Sequence, residues 1–204
     1  MSVSTAAWSS AAAVTRQPSK LLAGLFRQVE PGRRLIVLEI GTAVSDTVRF
    51  FSDYRCRLHF IDLFDEAFLG AVRDAPDAKT VRRLFDERLQ FDEGTRIDIC
   101  LFWDFLTFLD DRGLRAFNAA LRPWLHSASR AHGFGVHHLA IRQENVRYGI
   151  IDRETLSVRS RPAEPMPYHP HSQVEMADLL DCFAFERGLL LPNGKLEMLF
   201  RSRL

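Results

Sequence analysis

The run Arg34-Leu-Ile-Val-Leu-Glu-Ile-Gly-Thr-Ala-Val-Ser-Asp-Thr47 constrains this chain more than any other stretch. Its apolar run spans Leu35 to Ile40, carries Glu39 near its end, and stops at Gly41. A run of that length, bounded by glycine, reads as a strand buried on both faces, as in a parallel sheet. The loop after such a strand is where open α/β sheets place their ligands. A glycine at position 41 lets the backbone approach a ligand without a Cβ clash. Ser45, Asp46 or Thr47 can then cap a helix carrying Val48, Phe50 and Phe51.

The remaining elements alternate in the same style. Pro18 and Ser19 can open a helix through Leu21, Leu22, Leu25 and Phe26, which Pro31-Gly32 ends. A second strand, Leu58 to Leu63, runs into the acidic cluster Asp62, Asp65 and Glu66, completing a right-handed βαβ unit. Residues 65–75 and 80–91 have helical spacing, and no strand is evident between Leu63 and Ile97. Ile97 to Trp103 is the next buried strand, followed by a helix from Asp111 to His126 and a strand from Gly133 to Ala140. Gln143 to Pro170 reads as the irregular stretch. Ser172 caps a helix with Val174, Met176, Leu179 and Leu180. Phe183 to Leu191 and Lys195 to Phe200 make a hairpin turning at Pro192-Asn-Gly194. The expectation is a Rossmann-like, mostly parallel α/β sheet with helices on both faces and a C-terminal antiparallel hairpin. Residues 1–19 read as a flexible N-terminal arm and 20–204 as a single domain.

Composition narrows the function classes. A net charge of +1 gives no global argument for nucleic acid or a membrane surface, and no basic-aromatic array supports nucleic-acid binding. No apolar run approaches the roughly 20 residues a membrane span needs. Cys56, Cys100 and Cys182 are odd in number, far apart and set in apolar sequence, which points to reduced thiols in a cytoplasmic protein. No metal site is expected. His137 and His138 are adjacent on their strand and so face opposite sides, and His169-Pro-His171 has no cysteine or carboxylate at ligand spacing.

Three short stretches resemble the class I S-adenosylmethionine-dependent methyltransferases, with the order of elements following over residues 20–204. Leu38-Glu-Ile-Gly41 is similar to that family's strand-to-loop signature. Asp62 stands where the family uses an acidic side chain to hold the ribose hydroxyls. Arg96 to Asp104, with Leu106, Leu109 and Asp110, resembles the fourth strand and its exit loop. Leu121-Arg-Pro-Trp-Leu125 resembles the helix leading into strand five, and the final hairpin matches the reversed last strand. Where the family has further glycines, this loop has Ala43 and Ser45.

The resemblance implies S-adenosylmethionine as cofactor, contacted by Glu39, Gly41, Thr42, Ala43, Asp62, Leu63 and Trp103. Asp104, at the exit of strand four, would orient the acceptor or meet the cationic cofactor. His137 or His138, beyond strand five, would serve as general base or orienting group. The implied activity is methyl transfer to an unknown acceptor, resting on proximity and in-line orientation. The alternative is a methyltransferase-like module that has lost catalysis and acts as a binding or scaffold subunit, motivated by the altered glycine loop. A nicotinamide-dependent enzyme fits less well, because the G-x-G-x-x-G fingerprint is absent. The sequence gives no oligomeric state.

Overall fold

The computed structural model describes residues 14–161 and 166–204. From the amino end, β1 (Val14–Pro18) leads through a single 3-10 turn (Leu22–Phe26) into β2 (Leu35–Ile40), α1 (Ser45–Phe51) and β3 (Cys56–Ile61). Two helices follow, α2 (Glu66–Asp74) and α3 (Ala78–Arg88), then β4 (Ile97–Trp103), α4 (Asp111–Leu121) and β5 (Leu125–Gly135). The chain continues through β6 (Val146–Asp152), β7 (Thr155–Ser160), α5 (Gln173–Leu179), β8 (Phe183–Leu190) and β9 (Leu196–Ser202).

Six strands form the main sheet in the order β3-β2-β4-β5-β9-β8. The first four are parallel; β9 runs antiparallel between β5 and β8. β2 and β4 lie at the centre and are apolar at almost every position, because side chains on both faces meet core. Leu38, Ile40, Cys100 and Phe102 point to one face, packed with α2, α3, α4 and α5. Leu35, Val37, Ile99, Leu101 and Trp103 point to the other, packed with the 3-10 turn, Phe51 of α1, and Tyr148, Ile150 and Leu156. That second face is shared between helix and a small antiparallel sheet, β1-β7-β6.

The helices start where the sequence supplies an oxygen for their free N–H groups. Asp65, Asp77 and Asp110 accept from Ala67, Thr80 and Gly113 at the first turns of α2, α3 and α4. Ser172 and Glu175 form a reciprocal capping box on α5. The absent strand between Leu63 and Ile97 holds: α2 and α3 run directly into β4, leaving β3 as an edge.

Several expectations need correction. The helix of residues 111–126 stops at Leu121, because Pro123 has no N–H to continue it and forces a short 3-10 turn. β5 therefore starts at Leu125 and ends at Gly135, short of His137 and His138. Its polar first half stays in the sheet because Ser129 donates to the Ile97 carbonyl, 2.6 Å away. The expected helix beyond Ser19 shrinks to the turn Leu22–Phe26. α1 takes no cap from Ser45, Asp46 or Thr47; Val44 precedes it without a side-chain acceptor. The irregular stretch contains a regular hairpin, β6–β7. The part of the N-terminal arm from Val14 to Pro18 is a strand paired with β7, whereas residues 1–13 lie outside the described residues.

Candidate functional site: a filled crevice

The carboxyl ends of β2, β3 and β4 bring Gly41, Asp62 and Asp104 to one edge of the sheet. Gly41 has φ +134°, a conformation that L side chains rarely adopt, and donates its N–H to the Ile61 carbonyl at 2.8 Å. This edge is where a ligand would lie over the loop.

The protein's own side chains occupy that space. Phe64 packs over Gly41, its ring 3.8 Å from where a Cβ would stand. The Arg161 guanidinium lies 3.8 Å above the Phe64 ring centroid. Burial lowers the Arg161 pKa, opposed by the nearby carboxylates of Asp104 and Asp62. On the neighbouring side, Trp103 leaves β4 at φ +50°, the one positive φ outside glycine among the described residues. Its indole stacks on Tyr148 at 5.5 Å, and Tyr148 stacks on Phe134 at 5.0 Å. What remains between Glu39, Gly41, Phe64, Trp103, Tyr148 and Arg161 is a cavity of about 10 Å³. That is space for about one water, against the roughly 300–1,000 Å³ of small-molecule sites.

The polar groups around it are dry. Glu39 is 2% exposed and accepts from the Trp103 Nε1 at 3.0 Å, while its other oxygen has no partner among the described residues. Burial raises its pKa to about 8, the indole hydrogen bond opposing the shift. Asp104 is buried and accepts from Gln143 Nε2 at 2.6 Å. Burial raises its pKa to about 6 against the pull of Lys195 and Arg161.

The β6–β7 hairpin is the cover. Ile150 N–H donates to Thr47 Oγ1 at 3.2 Å, and Arg159 pairs with Asp46. Gly149 allows the closest approach: a Cβ there would meet Val44 at 2.8 Å and Ser157 Oγ at 2.7 Å. Asp46 and Thr47, two of the three residues expected as caps, are thus spent on holding the hairpin.

Glu39, Gly41 and Trp103 are brought together as expected, with Asp104 following Trp103 at the same edge. Thr42 and Ala43 lie beside them, exposed to solvent. Asp62 is exposed, and its Oδ1 accepts from Phe64 N–H at 3.1 Å, tightening the turn that delivers Phe64. Leu63 points into the core. His137 and His138 sit in an exposed turn beyond β5, where His138 Nδ1 accepts from the Ala140 N–H; neither lines the crevice. Tyr148, Arg161 and Phe64 were not anticipated. The alternation Val146, Tyr148, Ile150, then Leu156, Val158 across Asp152-Arg-Glu154 was the available hairpin signal.

No family model and no curated protein matches the sequence. Solved structures do match. PH0226 protein from Pyrococcus horikoshii shares 14% identity over 90% of this chain and 88% of its own, with a TM-score of 0.52. The reversed β9 between β5 and β8 distinguishes the sheet from a plain dinucleotide domain. The chain has the class I methyltransferase fold. A Burkholderia thailandensis 1,6-didemethyltoxoflavin-N1-methyltransferase with bound S-adenosylhomocysteine matches at 18% identity over 90% of this chain and 77% of its own, TM-score 0.49. The glycopeptide N-methyltransferase MtfA, complexed with S-adenosylmethionine, matches at 16% over 89% and 92%, TM-score 0.47. At such identities the methyltransferase fold alone is shared. In this structure Phe64 and Arg161 stand over Gly41, and the space beside them is about 10 Å³.

Proposed function

We propose that this chain is a methyltransferase-fold module that acts by binding rather than by methyl transfer. The observation that carries the reading is the filled crevice. Phe64, Trp103, Tyr148 and Arg161 leave about 10 Å³ where a nucleoside would need a pocket tens of times larger. Glu39, which the resemblance turns toward a cofactor, is instead a buried partner of Trp103. The loop around Ala43 and Ser45 has become part of the joint with the hairpin.

A second reading, a S-adenosylmethionine-dependent methyltransferase of unknown acceptor, is favoured by one observation. Asp62 still presents an exposed carboxylate at the end of β3, beside a Gly41 that keeps its positive φ. That reading requires withdrawal of the β6–β7 hairpin. We place the protein in a reducing compartment, the cytoplasm, on the strength of three free cysteines, two of them buried. Among the described residues, no helix is long and apolar enough to cross a membrane.

Calorimetry and thermal shift with S-adenosylmethionine and S-adenosylhomocysteine at about millimolar concentration test the first reading, since 1 mM corresponds to about 4 kcal/mol of affinity. Neither heat nor a shift is expected. Saturable binding overturns the first reading and supports the second, in which case Asp62→Ala weakens it by about 1–3 kcal/mol through lost charge-assisted hydrogen bonds.

A further inference from the structure

The opposite edge of the sheet carries a different arrangement. At the amino ends of four adjacent parallel strands stand Arg33 and Arg34 before β2, Arg57 in β3, Arg96 before β4, and His126 in β5. Because these strands share a direction and neighbour one another, the topology brings the basic side chains to one place. They surround an open depression of about 420 Å³, floored by Ile36 and Asp98.

The charges there do not balance. Asp98 is 8% exposed and takes three donors: Arg33, the Ile36 N–H at 2.8 Å, and His126 Nε2 at 3.1 Å. It fixes Arg33 and His126 in position. Arg57 pairs with Asp92 at 2.6 Å. Among the described residues, Arg34 and Arg96 have no carboxylate within ion-pair distance; the Arg96 guanidinium donates to the Thr95 carbonyl at 2.9 Å. Four guanidiniums against two carboxylates leave an excess of two positive charges around one depression, in a chain whose net charge is only +1. Neighbouring like charges raise each other's energy. Planar guanidiniums with free N–H groups match a doubly charged phosphoryl group in both geometry and charge.

We propose that this amino-edge depression binds a small ligand through a phosphoryl dianion, held chiefly by Arg34 and Arg96 with Arg33, Arg57 and His126 around it. The bounded size fits a phosphorylated small molecule or free phosphate rather than a polymer. The site is independent of the crevice and of either reading of it.

The test is calorimetric titration of the full chain with inorganic phosphate and with glycerol 3-phosphate, using chloride at matched ionic strength as control. One saturable site per chain is expected, filling below about 10 mM. R34A/R96A is expected to weaken it at least about tenfold, the loss of charge-assisted hydrogen bonds, while R82A/R83A on the exposed face of α3 leaves it unchanged. Tighter binding of glycerol 3-phosphate marks a phosphomonoester as the ligand, and equal affinity marks free phosphate; both support the site. Should R34A/R96A melt lower than the parent chain, R34K/R96K is read instead, since lysine keeps the charge and loses the bidentate fork. Heat that follows ionic strength alone, affinity indifferent to both double variants, or a single-stranded oligonucleotide that displaces phosphate each overturns the proposal.

Discussion

The indole of Trp103 donates to the buried carboxyl of Glu39 across 3.0 Å, joining the ends of two adjacent central strands on the same face of the sheet. Both residues are excluded from water, at 2% exposure each. Trp103→Phe keeps most of the ring and removes the donor, leaving Glu39 with no partner among the described residues. A loss of about 1–3 kcal/mol is expected in denaturant unfolding, the penalty for a stranded buried acceptor. Glu39→Gln, which retains an acceptor, is expected to lose less at neutral pH.

The same carboxyl makes stability depend on pH. Its folded pKa is raised to about 8 from 4.5, so between those values the folded state holds a proton that the unfolded chain has released. The stabilisation is complete below about pH 4.5 and falls away as pH rises through 8. Asp104, raised to about 6 from 3.8, acts in the same direction over its lower window. Glu39→Gln should therefore flatten the decline between pH 5 and 8, a difference of order 3–5 kcal/mol, measurable as urea midpoints across pH. A parallel decline in the variant assigns the effect to other groups.

Glu197 titrates with the opposite sign. It is fully buried and accepts from Ser19, from the Leu21 and Lys20 backbone N–H groups at 3.1 Å each, and contacts His132 Nε2 at 2.9 Å. Burial alone would raise its pKa; His132, Ser19 and the Lys20 N–H outweigh that and hold it near 2. Its contribution is present above 4.5 and is lost as pH falls from there toward 2. Ser19→Ala should cost about 1–2 kcal/mol by removing one donor from a buried carboxylate. It should also raise the pH at which the segment around Leu22 becomes cleavable in limited proteolysis.

Gly149→Ala tests the hairpin as the cover of the crevice. The added methyl meets Val44 at 2.8 Å and Ser157 Oγ at 2.7 Å, so the hairpin or the loop before α1 must shift. Overpacking of this kind costs about 1–3 kcal/mol. Hydrogen exchange at Ile150, whose N–H donates to Thr47, should accelerate while exchange in β4 does not. Unchanged protection of Ile150 would mean that the hairpin is held from elsewhere.

The parallel core was legible because its signal is strong and local: runs of six or seven residues, apolar but for Glu39 and Asp98, bounded by Gly41 or by Arg96 and Asp104. So was the terminal hairpin, whose Pro192-Asn-Gly194 turn separates two strand-like runs. The start of β5 was not, since Ser129 and His132 are polar residues that become strand only through bonds to Ile97 and Glu197, distant in sequence. The crevice residues Glu39, Gly41 and Trp103 were legible by resemblance, but their filling was not. Phe64 and Arg161 act through tertiary placement, and no local pattern announces that a side chain will lie over a glycine. The basic amino edge was hidden for the same reason: Arg34, Arg57, Arg96 and His126 are scattered along the chain, and only strand order gathers them.

Val14–Pro18 pairs with Thr155–Ser160, so a strand near the start of the chain finds its partner about 140 residues later. During synthesis on the ribosome that early segment must wait, unpaired, for roughly 7–28 seconds at about 5–20 residues per second. In that interval it is an open edge capable of pairing with another nascent chain. Arg16 at its centre and Pro18 at its end are the residue types that discourage such pairing. The crevice therefore cannot close before Ser160 has been made, and α5, β8 and β9 still follow it in the chain.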